Sequence, residues 1–293
     1  MAVSASDVKK LRDMTGAGMM DCKEALTEAN GDFEAAADLL RKKGLSKAAK
    51  KAGRETKEGL VVSLVRDDCR VGSLAEINCE TDFVAKTDDF LAFVKGVAAQ
   101  VDQKAPKDAA ELLAQPWIND GSKKVQDALA ELIGKLGENM GISRCVHFEA
   151  PKGYVHSYIH PGARVGVLIE VEADKPEVYA KDEFKALAHD LAMQVAAAMA
   201  RFVRREQVDA ATIEKEKEIY REQLKDSGKP ANVIEKIIEG KLNKFFEDVC
   251  LVDQLFIKDQ DVKVREVVEK AGKAVGASIK IVRFARYGLG EAL

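Results

Sequence analysis

Between Glu58 and Ile77 the apolar positions recur with a period of two. Leu60-Val61-Val62-Ser63-Leu64-Val65 and Val71–Ile77 read as an antiparallel strand pair around a turn at Arg66–Arg70. The second strand breaks at Thr81-Asp82. Thr and Asp favour helix N-caps because their side-chain oxygens accept the amide donors that a first turn leaves unpaired. The strand is therefore expected to run into a tight turn or short helix, with Phe83 on its first turn. An aromatic there either folds into the local core or stands out as a plug for another molecule. Composition favours the core, since most Phe side chains are buried.

Upstream the period is helical. Residues 6–44 read as three short helices. Ser6 or Asp7 is placed to cap the first, which carries Val8, Leu11 and Met14. Thr15-Gly16-Ala17-Gly18 is a turn. Met19, Met20, Cys22, Ala25 and Leu26 line the second helix, and Asn30-Gly31 suits a left-handed C-cap. Asp32 caps a third with Phe33, Ala36, Ala37, Leu39 and Leu40. In so small a module Met19 and Met20 are either core or an adaptable docking surface.

Downstream, Thr87-Asp88 caps a helix bearing Phe90, Leu91, Phe93, Val94, Val97 and Val101. Asp108–Ala114 and Ser122–Leu136 read as helices, the last ending at Gly137-Glu138-Asn139. Strands expected at Ile142–Ala150, Tyr154–Ile159 and Val165–Val171 open a second lobe with the same order of parts, followed by a helix from Phe184 to Met199. Beyond it, Ile234, Ile238, Leu242, Phe245 and Val249 form a near-heptad stripe, and Gly228-Lys229-Pro230 joins two helices into an antiparallel hairpin. Leu251, Val252, Phe256 and Ile257 are expected in a loop, Val262–Ala271 in a helix and Ser278–Ala285 in a closing strand.

The fold class is α+β. A three-helix module with a basic linker takes 1–57, and one core subdomain takes 58–140. A second takes 141–211 and 250–293, interrupted by a coiled-coil hairpin insertion at 212–249.

Composition narrows the function. The chain has 293 residues, 46% hydrophobic and 32% charged, with net charge −3. It is long enough for two or three domains. No apolar run reaches membrane-spanning length, and the N-terminus lacks the apolar core of a secretory signal. Cys22, Cys69, Cys79, Cys145 and Cys250 are scattered and never spaced as CxxC, which points to a reducing cytoplasm. Residues 41–57 carry eight basic side chains against the acid Glu55, a solvated helical linker or a contact for RNA or an acidic surface.

Candidate chemistry is sparse. Cys145 and His147 share a strand face, but no third group orients them. His156 and His160 with Glu170 or Glu172 match no metal-ligand spacing. The Gly16–Gly18 turn follows no strand and lacks the phosphate-loop pattern, so no direct nucleotide binding is expected. Neither catalytic residue, metal nor cofactor is expected, and the chain reads as an interaction protein with no membrane partner.

Two long motifs then point to a family. Leu11-Arg12-Asp13-Met14-Thr15-Gly16-Ala17-Gly18-Met19-Met20-Asp21-Cys22-Lys23-Glu24-Ala25-Leu26 and Glu76-Ile77-Asn78-Cys79-Glu80-Thr81-Asp82-Phe83-Val84-Ala85 resemble the signatures of elongation factor Ts. His160–Leu168, Ser227–Pro230 and Glu239–Leu242 resemble it in the same order. The resemblance implies a guanine-nucleotide exchange factor for the GTPase elongation factor Tu, bound first with GDP and then nucleotide-free. It implies a ubiquitin-associated-like N-terminal module. It makes Phe83 a wedge near the partner's magnesium site, presented by Thr81, Asp82 and Val84. Lys9, Arg12, Met19, Met20, Leu136, Gly137, His160 and Ile257 match secondary partner contacts. The chain stops at Gly290-Glu291-Ala292-Leu293, where many members add a helix, so no C-terminal helix contact is carried over. An RNA- or ribosome-associated protein using 41–57 is the alternative. The acidic net charge and the lack of interleaved aromatics speak against RNA contact.

Overall fold

The computed structural model describes residues 3–225, 227–228 and 230–291, with the backbone alone at Leu45 and Lys47. Lys229, Ala292 and Leu293, named above, lie outside the described residues, as does the Lys47 side chain.

The N-terminal module is three helices, α1 (Ala5–Thr15), α2 (Met19–Glu28) and α3 (Phe33–Lys51). The cap of α1 is Ser4, not Ser6 or Asp7. Ser4 Oγ accepts the Asp7 amide, and the Asp7 carboxylate accepts the Ser4 amide in return, so the reciprocal pair starts the helix earlier. Val8, Leu11, Cys22, Ala25, Leu26 and Ala36 form the module's own core. Asp32 caps α3, which continues through the basic segment to Lys51.

The rest is one architectural unit used twice. The first copy runs β1 (Glu58–Val65), β2 (Val71–Cys79), α4 (Asp82–Ala85), α5 (Asp88–Lys104), α6 (Ala109–Ala114), β3 (Pro116–Trp117), β4 (Asp120–Lys124), α7 (Val125–Leu136) and β5 (Met140–Glu149). The second runs β6 (Tyr154–Ile159), β7 (Val165–Ala173), a 3-10 turn (Pro176–Ala180), α8 (Asp182–Ala198), α9 (Ala210–Leu224), α10 (Ala231–Val249), β8 (Leu255–Phe256), β9 (Asp259–Lys263), α11 (Val264–Val275) and β10 (Ile279–Gly288). The sheets have orders β1-β2-β5 and β10-β7-β6, antiparallel throughout. Matching elements agree in length: α5 and α8 have 17 residues, and α7 and α11 have 12.

Three expectations are corrected. The strand placed in the second lobe at 142–150 is β5, and it pairs with β2, so the first copy extends to residue 149. The helix expected from Ser122 starts at Val125, because 116–124 folds as the β3–β4 hairpin. The loop expected at Phe256 and Ile257 is likewise the β8–β9 hairpin. One buried glutamine anchors each. Gln100 donates to Gln115 and Pro116 and accepts the Ile118 amide; Gln194 donates to Gln254 and Leu255 and accepts the Ile257 amide.

The sheets face each other. Val61, Leu74, Phe148, Ala150, Val155 and Leu168 fill the layer between them. The outer faces are covered by α5 and α8, each over its own core. A Cβ on Gly166 would fall 2.5 Å from Val61 Cγ1, so glycine permits this close approach. Each central strand also buries one glutamate with a cross-strand arginine: Glu76–Arg144 at 2.7 Å and Glu170–Arg283 at 2.6 Å. The helices α9 and α10 interrupt the second copy between α8 and β8. Arg201, Phe202 and Leu251 stitch their two ends together through backbone bonds.

Candidate functional site

The turn between β2 and α5 begins at a strand buried along its whole length, so its starting point is fixed. Thr81 is extended and caps α4, its hydroxyl accepting the Val84 amide at 3.4 Å. That hydroxyl donates to Glu138 Oε1 at 2.7 Å, while the Thr81 amide donates to Glu138 Oε2 at 3.0 Å. Backbone bonds from Lys86 to Phe83 and from Thr87 to Val84 close the turn. Val84 and Ala85 take its inward side and pack into the first core. Phe83 is left 79% exposed. Composition favours burial for such a residue, but Val84 and Ala85 occupy the inward side of the single turn and Phe83 faces solvent. Asp82 is exposed and accepts from Lys86 Nζ at 2.6 Å, a bond that holds its carboxyl below the usual range.

The structure brings Leu136 and Gly137 to the same place. Gly137 ends α7 with φ +82°, a left-handed conformation suited to glycine, and Glu138 follows it directly. Lys51 Nζ donates to the Gly137 carbonyl, the Asn139 amide to Glu80 Oε1 at 2.6 Å, and Asn139 Nδ2 to the Arg54 carbonyl at 2.8 Å. The ends of α3, α7 and β2 are thereby tied together.

The other sequence-predicted residues lie elsewhere. Lys9 and Arg12 are exposed on α1, and Met19 and Met20 at the start of α2 are 43% and 67% exposed. Both methionines are surface residues, and Met14, also exposed, was read only as part of a helical face. His160 is exposed in the turn after β6, where Nδ1 lies 2.9 Å from the Tyr158 hydroxyl. Ile257 is half-buried in the β8–β9 hairpin. Glu138 is the residue the sequence reading missed; its only signal is a carboxylate directly after a helix-ending glycine.

Chemistry of other kinds finds little support. Cys145 is buried in the first core, and burial pushes its thiol up to about 11, so it is not poised as a nucleophile. The basic segment is partly engaged within the molecule: Lys43 pairs with Glu24, Arg54 with Glu80 and Lys57 with Glu55. Among the described residues no cluster of three or more His, Cys, Asp or Glu side chains is arranged to hold a metal ion. Among them, too, no helix is long and apolar enough to cross a membrane.

The fold and site define a two-lobed α+β protein that exposes one aromatic side chain, Phe83, on a turn hydrogen-bonded to Glu138. Known proteins say which. A family profile described as elongation factor TS matches residues 80–291. Elongation factor Ts of Trichlorobacter lovleyi is 50% identical over 293 residues, covering 100% of this chain and 94% of the relative. Those of Clostridium kluyveri and Clostridium acetobutylicum are 45% and 44% identical over 291 residues, covering 99% of this chain and 94% of each. The chain belongs to the elongation factor Ts family. Its role is that of a nucleotide exchange factor in translation elongation, with elongation factor Tu as the partner the family implies.

Proposed function

We propose that the chain binds GDP-loaded elongation factor Tu, inserts Phe83 near the partner's magnesium site, and stays on the nucleotide-free partner until GTP displaces it. The exposure of Phe83 on a turn fixed by β2 and Glu138 carries this reading. Mg²⁺ bridges protein and nucleotide phosphates and demands near-ideal octahedral geometry, so a small displacement of its surroundings weakens GDP binding strongly. Burying a Phe removes roughly 150–250 Å² from water, worth on the order of 4–6 kcal/mol as an upper limit. That is enough to help support a strained partner conformation.

Linkage sets the cycle. If the factor weakens GDP binding, GDP weakens factor binding equally. The factor therefore accelerates exchange without being consumed and makes no covalent chemistry. It binds no nucleotide itself and needs neither RNA nor a membrane. Thr81, Asp82 and Val84 set the wedge, while Lys9, Arg12, Met19, Met20, Leu136, Gly137, His160 and Ile257 supply surrounding contacts.

The division of labour follows the architecture. The three-helix module, with its ubiquitin-associated-like order, docks first through its methionine surface. The first core unit, 58–149, carries the wedge. The second, 151–211 with 250–291, supports it, and α9–α10 form a coiled-coil arm. The test is release of fluorescent GDP from elongation factor Tu, with and without this chain. Acceleration by the chain is expected, and its absence overturns the reading.

A further inference from the structure

We infer that Glu138 is a positioning residue for the exchange step: its carboxylate grips Thr81 at two points and thereby sets the angle at which Phe83 leaves the surface. The inference rests on the wedge reading of Phe83.

Both Glu138 oxygens are committed to Thr81, one to the amide at 3.0 Å and one to the hydroxyl at 2.7 Å. The same hydroxyl accepts the Val84 amide, so the grip reaches the backbone of α4 through a single residue. Glu138 is itself held on both sides. Gly137 before it accepts from Lys51, and Asn139 after it donates to Glu80 and to the Arg54 carbonyl. A two-point bond from a fixed carboxylate restricts rotation at Thr81 in a way one bond to a mobile side chain would not.

The second lobe supplies an internal control. After α11 the chain repeats the arrangement with Gly276, Ala277 and Ser278. The Ser278 amide donates to Asp174 at 2.8 Å, just as the Asn139 amide donates to Glu80. That shared bond is scaffold. The place of Glu138 is taken by Ala277, and the turn it would grip displays Glu177 in place of an aromatic. The carboxylate grip occurs only in the lobe that exposes Phe83.

The test uses the full chain and elongation factor Tu loaded with fluorescent GDP. Release is followed at rising factor concentration to separate maximal rate from half-saturating concentration. Glu138→Gln keeps the shape but loses the charge and one acceptor, and should lower the maximal rate about tenfold. Half-saturation should move less than about twofold, since docking surfaces elsewhere are intact. In a Phe83→Ala background the same change should add nothing, because there is no ring left to aim. Thr81→Ser, which keeps both bonds, should retain the rate. Thermal melting of each variant separates misfolding from misaiming. An unchanged maximal rate in Glu138→Gln, or an equal loss in both backgrounds, overturns the positioning role. If Phe83→Ala itself releases GDP at the full rate, the wedge reading fails and this inference falls with it.

Discussion

The two core lobes share strand pairing, a buried Glu–Arg pair and a glutamine-anchored hairpin, yet the connection after the central strand exposes a different side chain in each. Between β2 and α5 the first lobe turns Val84 and Ala85 inward and Phe83 outward. Between β7 and α8 the second turns Val178 and Tyr179 inward and leaves Glu177 exposed. The second lobe obeys the ordinary rule of aromatic in and charge out. The first inverts it on an otherwise equivalent scaffold, so the scaffold does not require the exposed ring. A Phe that is 79% exposed buries little apolar area within its own chain.

Perturbing both aromatics should separate these roles. Tyr179→Ala is expected to cost about 3–5 kcal/mol, because it empties a packed site and frees the Lys152 carbonyl and Ala173 amide bonded by the hydroxyl. Phe83→Ala is expected to stay within about 0.5 kcal/mol of the parent, as exposed substitutions do. Urea denaturation reads both, and equal losses would erase the contrast.

The shared glutamines come next. Gln100→Ala and Gln194→Ala should each cost about 2–3 kcal/mol by leaving buried hairpin groups unpaired. Similar losses would support two equivalent anchors, whereas a loss confined to one would show that the lobes diverge in mechanism.

A smaller asymmetry is pH-dependent. Burial, with His189 beside it, pushes the His156 ring down to about 4. Its Nε2 lies 3.1 Å from His189 Nδ1. A group whose folded value lies below its unfolded value of about 6.5 stabilises above that pH, and the contribution is lost as pH falls toward 4. The loss should be about 1 kcal/mol after allowing for partial solvent access. His156→Phe should flatten the stability profile in that window. Smallest of all, Lys86→Ala removes an exposed ion pair to Asp82 and should change stability by a few tenths of a kcal/mol or less.

The difference between the lobes also marks what sequence reasoning reaches. Strong periods and caps were readable: β1 and β2, the Thr81 and Thr87 caps, and the apolar stripe of α10 around Ile238 all follow local pattern. The β3–β4 and β8–β9 hairpins were not. Their longer strands, DGSKK and DQDVK, are mostly polar, and a glutamine distant in sequence holds each in place. β5 was assigned to the second lobe because its partner β2 lies far upstream, beyond the reach of local pattern. The proposal of Phe83 as a site residue rests on its motif, while its exposure goes with Val84 and Ala85 filling the core. Glu138 was invisible because its meaning lies in a contact with Thr81 made through the fold.

The central claim is that the exposed ring, and not the scaffold around it, drives exchange. The most direct measurement is stopped-flow release of fluorescent GDP from elongation factor Tu by Phe83→Glu, which gives the first lobe the outward residue of the second. The account predicts a loss of about a hundredfold in stimulated release, about 2.8 kcal/mol and within the upper limit for burying the ring, with an unchanged melting temperature. Stimulated release at the parent rate would contradict it.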